Sequence, residues 1–134
     1  MTDQPTVRVT PLEGHHALRM DWDRDPTDAD VRAACARLVV CLNDAETMLH
    51  VLVDLTARPT IPFNTTTNCM VMGPQVHPRM GCWLLIGDSD EMQAVITVLE
   101  AVSNRRNFRW FPRETAAMAY LSALEEGLAA PDRA

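Results

Sequence analysis

Lysine is absent from this chain; all twelve positive side chains are arginine. That excludes chemistry built on a lysine amine, including Schiff-base catalysis and the phosphate-gripping lysine of a P-loop. Positive charge is outweighed overall, because eighteen acidic residues leave a formal net charge of -6. Nucleic-acid backbones require the opposite field, so general nucleic-acid binding is excluded too. No apolar run reaches the roughly 20 residues that span a bilayer, and the N-terminal stretch is too polar for a secretion signal. Together these absences predict a cytoplasmic protein without a membrane span. Aromatic residues make up only 5%, so aliphatic side chains and methionine must fill the core.

Cysteine and histidine are present without organisation. Cys35, Cys41, Cys69 and Cys82 form no CxxC pair, and the four histidines form no HxxxH pair. The pattern predicts four reduced, mostly buried cysteines, with no metal site and no cofactor. At 134 residues, one domain over 1–134 is predicted, with its core at about 6–126. Residues 1–5 read as a loose terminus and residues 128–134 as a frayed one.

What is present is led by residues 48–55, Met-Leu-His-Val-Leu-Val-Asp-Leu, an apolar run broken only by His50. Its length and turn-rich borders predict a strand buried on both faces, and residues 82–86 predict a second. Residues 6–10 and 16–22 alternate apolar and polar side chains around Glu13-Gly14, which predicts an N-terminal hairpin. In 16–22 the alternation puts Leu18, Met20 and Trp22 on one face. Thr27 reads as the cap of a helix with Asp28 and Asp30 in its first turn, an acidic variant of the capping box. Val31, Ala34, Cys35, Leu38, Val39 and Leu42 form its apolar stripe, and it should end near Asn43.

Residues 56–63 hold Pro59 and Pro62 and cannot be regular helix. Asn64-Thr65-Thr66-Thr67 is predicted to cap a short helix to about Met72, followed by a loop over 73–80. Asp88 or Ser89 caps the next helix, striped by Met92, Val95, Ile96, Leu99 and Val102. Residues 108–111 form a short strand with Phe108 and Trp110 inward. Pro112 opens a last helix, which buries Met118, Leu121 and Leu124 and stops at Gly127. The fold class is therefore α/β: a central mixed sheet of about five strands with about four helices packed on it.

No stretch brings a nucleophile, a base and an oxyanion donor together, so the chain reads as a non-enzyme. His15 and His16 are strand neighbours pointing to opposite faces and read as exposed turn residues. His50 reads as a hydrogen-bonded core histidine. Asp54 ends a buried strand, where ligand-binding groups of open sheets collect. With Arg58 it either engages a ligand or partner or forms a loop salt bridge or cap. Arg105, Arg106, Arg109 and Arg113 interleave with Phe108, Trp110 and Phe111. Such a cluster can stack bases or hold an anion; against the acidic whole it reads as core plus surface charge, or as a dock for an acidic partner or a second copy of the chain.

Three segments carry a family resemblance: residues 50–55 running into a loop and helix start, the buried strand and turn of 81–88, and Phe-Arg-Trp-Phe-Pro-Arg-Glu-Thr-Ala-Ala-Met-Ala-Tyr-Leu at 108–121. With the order strand, strand, helix, strand, short helix, strand, helix, strand, helix, they resemble the STAS superfamily. This is the sulphate-transporter and anti-sigma-factor-antagonist domain, and the likeness is to its stand-alone bacterial members over about residues 6–126. The resemblance implies a regulatory module without catalysis, in which a kinase phosphorylates a serine at the start of the second helix and the added charge governs partner binding. Pro62, Phe63 and Asn64 stand here where that family has Asp-Ser-Ser. No serine occurs between Thr56 and Cys82; the nearest hydroxyls are Thr65 and Thr66.

The leading expectation is a regulatory or protein-interaction module, with a partner-binding or switch surface at Asp54, Arg58, Phe63, Asn64, Thr65 and Thr66. Its expected partner is a protein, such as a kinase or regulator, or a second copy of the chain. The alternative is a carrier of a small apolar ligand or lipid in a pocket under residues 56–80. Phe63, Met70, Met72 and Met80 crowd that segment, and Met-rich walls adapt to varied ligands.

Overall fold

The computed structural model describes residues 4–133. Residues 1–3 of the expected loose N-terminus, and residue 134 of the C-terminal one, lie outside the described residues. The elements are β1 (Val7–Pro11), β2 (Ala17–Trp22), α1 (Asp28–Asp44), β3 (Leu49–Asp54), α2 (Phe63–Val71), a 3-10 turn (Pro74–Val76), β4 (Met80–Ile86), α3 (Asp90–Ser103), β5 (Phe108–Phe111) and α4 (Glu114–Glu125). They form one five-stranded mixed sheet in the order β1-β2-β3-β4-β5. β1 pairs antiparallel with β2, and all other neighbours are parallel. The expected α/β class, with five strands and four helices, is the one observed.

Each parallel step is a strand–helix–strand crossover, so α1, α2 and α3 fall on one face of the sheet. Their buried side chains, among them Val31, Leu38 and Leu42 of α1, Met70 of α2 and Met92, Val95 and Leu99 of α3, pack on Met20, Val51, Val53, Trp83 and Leu85. The opposite face carries α4 alone, whose Ala117, Leu121 and Leu124 cover Leu52, Cys82, Leu84 and Ile86. Every residue of β4 is buried, which a strand between two helical layers requires. Each fully buried aliphatic side chain contributes roughly 1.5–3 kcal/mol relative to exposure.

α1 and α3 begin on the expected caps. The Ser89 hydroxyl accepts the Met92 N–H at 3.0 Å and the Thr27 hydroxyl accepts the Asp30 N–H at 3.1 Å. The return half of the capping box takes a different route. Asp30 accepts from the backbone N–H and hydroxyl of Thr6, and the Thr6 oxygen accepts the Thr27 N–H at 3.0 Å. Thr6 thereby ties the start of β1 to the start of α1, a long-range pairing that local spacing does not reveal.

Five features depart from expectation. α1 runs to Asp44, with Ala45 rather than Asn43 at its end. The 73–80 loop contains a 3-10 turn, and β4 starts two residues early, at Met80. Ala117 joins the buried face of α4, with Met118 only partly buried against it. The C-terminal segment does not fray. Arg133 N–H donates to Arg106 C=O at 2.8 Å, Arg105 grips Asp132, and Arg133 grips Glu100.

Candidate functional site

The C-terminal edge of the parallel strands is the natural place to look, since loops there converge beyond the sheet. The first expected residue, Asp54, is spent on the fold. One carboxylate oxygen accepts from the Thr56 N–H at 2.9 Å and the Thr56 hydroxyl at 2.6 Å. The other takes Arg19 Nη2 at 2.7 Å. Burial alone would push the Asp54 carboxyl up, but the two Thr56 bonds and Arg19 together hold it below its usual range. Arg19 also binds Asp21 and Glu114, so a compact ion cluster caps the α4 side of β2 and β3. Asp54 therefore pairs with Arg19, and the expected loop salt bridge to Arg58 does not form.

Arg58 is released by this arrangement. Its N–H closes a turn on Leu55 C=O at 3.0 Å, and its backbone is left-handed, with φ 56°. A non-glycine residue there carries a cost of roughly 1 kcal/mol. Among the described residues its exposed guanidinium has no hydrogen-bond or ion-pair partner. Arg58 and Pro59 face Asp88, Ser89, Asp90 and Glu91 across an open cleft of about 370 Å³.

The loop that follows is tethered. Thr60 N–H donates to Arg24 C=O at 3.0 Å, and Ile61 N–H donates to a Glu91 oxygen at 3.0 Å. Ile61 is buried against the α1–α3 side of the core. Phe63, two residues on, is 44% exposed.

α2 begins one residue before the expected cap. Phe63 is its first residue and Pro62 its N-cap, with no side-chain capping bond. The reading of Asn64 and the threonines as caps is therefore corrected: they lie inside the helix, whose start carries no side-chain capping bond. Asn64 is exposed and Thr65 half-buried, while Thr66 and Thr67 turn into the core. The buried hydroxyls of Thr66 and Thr67 have no hydrogen-bond partner. Thr66, with no exposed surface, is thus removed from the expected switch surface, because a kinase cannot reach it. Arg58 lies in the loop after β3 and Phe63, Asn64 and Thr65 in the first turn of α2, while Asp54 is held by Arg19 and Thr56 and Thr66 is buried.

Of the methionines expected to wall a pocket under residues 56–80, two are buried and one is exposed. Met70 and Met80 are core residues, whereas Met72 is 84% exposed. The apolar void beneath α2, lined by Met20, Trp22, Val53, Met70, Trp83, Leu85, Met92 and Phe108, measures about 10 Å³. That is about the room one water needs, far below the several hundred Å³ of ligand pockets. Beside it, Gln75 is fully buried and organises polar groups that sequence reasoning missed. It accepts from Trp83 Nε1 at 2.8 Å and donates to Asn107 Oδ1 and Ser103 Oγ, both at 2.9 Å. Isolated Gln and Asn in loop-like sequence gave no signal of this.

The remaining candidates take structural roles. His50 is buried, and its Nδ1 accepts the Cys82 N–H at 2.9 Å. Burial pushes its pKa down. His15 and His16 meet Glu125 rather than solvent alone, through His15 Nδ1 at 2.7 Å and the His16 N–H at 2.7 Å. In the arginine cluster, Phe108 is core, stacked on Trp83 with centroids 5.5 Å apart. Arg105 pairs with Asp132, and Arg109 Nε donates to the Tyr120 hydroxyl at 3.1 Å. Among the described residues no group of three or more His, Cys, Asp or Glu is placed to hold a metal ion, and no helix is long and apolar enough to cross a membrane. Compared with protein-family models, curated proteins and solved structures, the chain matches none.

Proposed function

We propose that this chain is a non-enzymatic, STAS-like regulatory module of the cytoplasm that binds a protein partner through the 58–63 loop and the start of α2. The observation that carries this reading is the pairing of Arg58, unpartnered and in a left-handed conformation, with the exposed ring of Phe63 on a loop tethered at Thr60 and Ile61. Arginine and aromatic side chains are the residues that most often dominate binding energy, and a loop fixed beforehand loses little entropy on docking. Backbone cost at Arg58 without an internal contact is the kind of local rule-breaking that clusters at functional positions.

The element order supports the STAS likeness, since it is the order the resemblance implies. Four unbridged cysteines support a reducing compartment. The open first turn of α2 supports a charge-sensitive contact, with Thr65 as the hydroxyl nearest it that a kinase can reach. The partner is accordingly a kinase or another regulator.

Cross-linking in lysate of the native host, followed by quantitative mass spectrometry, tests the surface. Combined Arg58→Ala, Phe63→Ala and Thr65→Ala should lower recovery of the specific partner at least tenfold. A control pair on another exposed surface, Met72→Ala with Val76→Ala, should leave it unchanged. Equal recovery by the triple variant and wild type overturns the proposed surface, and phosphate mass on Thr65 would identify the switch.

A further inference from the structure

Residues 101–113 hold four arginines, Arg105, Arg106, Arg109 and Arg113, and no acidic residue, in a chain whose net charge is -6. They surround β5, which ends the sheet order, so no strand lies along its outer side. On its inner side, Trp83 N–H donates to Asn107 C=O at 2.8 Å and Gly87 N–H to Phe111 C=O at 3.1 Å. Alternate residues of a parallel strand face the same neighbour, so the backbone of Trp110 faces outward, away from β4. An open strand edge is a template for an incoming extended segment, and arginines around it favour one that carries negative charge.

The chain's own C-terminal segment already sits at the start of this edge. Arg133 N–H donates to Arg106 C=O at 2.8 Å, and Arg109 Nη2 and the Tyr120 hydroxyl donate to Ala130 C=O at 3.4 and 3.3 Å. Those bonds read backbone, which any sequence supplies. Two side chains of the segment are read as well. Asp132 takes Nε and Nη2 of Arg105 at 3.0 and 2.5 Å, and Arg133 binds Glu100 at 2.9 Å. Arg105 Nη1 donates to Met80 C=O at 2.7 Å, so the fold itself aims this guanidinium and leaves its other two donors as a fork for a carboxylate. Two open clefts adjoin the segment. One, of about 610 Å³, has Asn104 and Arg105 in its wall; the other, of about 300 Å³, has Ile96 and Trp110, and Arg133 lines both.

We propose that the β5 edge is a docking groove for an extended acidic segment of a partner protein, and that residues 128–133 hold it shut, with Asp132 standing where the partner's carboxylate binds. The side chains of Arg105 and Asp132 are 24% and 39% exposed, and ion pairs this open to water hold weakly. A segment that offers the same carboxylate, with a second acidic group beside Arg109, therefore competes with the tail. Lifting Arg133 removes a wall that the two clefts share. The groove begins beside Met80, at the first residue of β4, whereas the 58–63 loop follows the far end of the parallel β3. It is thus independent of what docks at that loop.

The test adds a labelled peptide to the purified full chain and reads fluorescence anisotropy. The peptide, Leu-Ala-Glu-Pro-Asp-Arg-Ala with blocked ends, copies the C-terminal sequence except for a glutamate at the exposed Ala130 position. Asp132→Asn loosens the tail and should bind it about fivefold more tightly than wild type. A peptide with Gln and Asn for its two acids should bind at least about tenfold more weakly, and added salt should weaken the acidic peptide. Arg105→Gln in the Asp132→Asn chain should abolish binding. Hydrogen exchange on the wild type needs no substitution: the peptide should speed exchange in residues 128–133 and slow it in 108–111. Equal affinities of Asp132→Asn and wild type, equal binding of the amide peptide, or a tail whose exchange does not respond would each overturn the groove. So would a thymidine oligonucleotide that binds this edge more tightly than the peptide, or an Asp132→Asn chain that trades tails with a second copy instead.

Discussion

Gly81 lies under the imidazole of His50, and a Cβ there would stand 2.4 Å from Nδ1 and 2.8 Å from Leu49 O. The reason is a bulge: Leu49 pairs with Met80 but Val51 with Trp83, so one residue of β3 faces two of β4. His50 fills that irregularity by accepting the Cys82 N–H that the ladder leaves over. Gly81→Ala should therefore destabilise the fold by about 2–3 kcal/mol in urea denaturation; a change below about 0.5 kcal/mol would mean the bulge can relax. His50 also sets a pH window. Burial holds the folded imidazole below its usual 6.5, so the unfolded chain takes up a proton that the folded one resists. This contribution is whole above pH 6.5 and fades as pH falls from there through the lowered folded value. His50→Asn keeps an acceptor without a titrating ring. Its urea midpoint should vary less than that of wild type between about pH 7 and 5, and identical slopes would rule out His50 as the source.

Among the elements, α2 is the least supported by its own sequence. It has no side-chain cap, two buried threonine hydroxyls without partners, and a left-handed residue in the loop before it. α3, with a serine cap, an acidic first turn and Asn104 in the left-handed C-cap position, meets every local rule. This contrast yields a prediction in which stability and binding move in opposite directions. Arg58→Gly relieves the φ of 56° and should raise stability by up to about 1 kcal/mol. The same change should weaken the proposed partner contact. A Tm that falls on this substitution would mean that the guanidinium supports the fold.

Taken whole, the molecule ties its C-terminal segment down beside β5 and α4. Arg105 holds Asp132, Arg109 and Tyr120 both donate to Ala130 C=O, and Ala129 packs beside the α4 core. The bond from Arg105 holds the Asp132 carboxyl below its usual range despite partial burial. Truncation after Gly127 should lower stability by about 1–2 kcal/mol, since each half-exposed pair contributes at most about 1 kcal/mol. Guanidinium denaturation measures this, and an unchanged midpoint would show the segment to be dispensable. Carboxylates held low, Asp54, Asp132 and Glu125, lose their contribution only below their unfolded values of 3.8 to 4.5. Acid unfolding should thus come in two steps, the His50 loss beginning near 6.5 and the carboxylate loss below about 4.5.

Periodicity and capping chemistry are local, and they sufficed for the number, type and order of the elements. The strands within 48–55 and around 82–86 follow from continuous apolar runs, and the inward faces of β2 and β5 and the α3 stripe, apart from the exposed Val102, follow from spacings of 2 and 3.6. In the candidate site, Arg58 stood out for following Asp54 and Phe63 through the family resemblance, and both side chains are exposed. That Asp54 would turn to Arg19, Asp30 to Thr6 and Gln75 to Trp83 was not legible. Each pairing joins residues that only strand order, register and the side chosen by a crossover helix bring within reach. Those quantities depend on how distant apolar faces pack together, and a chain read along its length does not contain them.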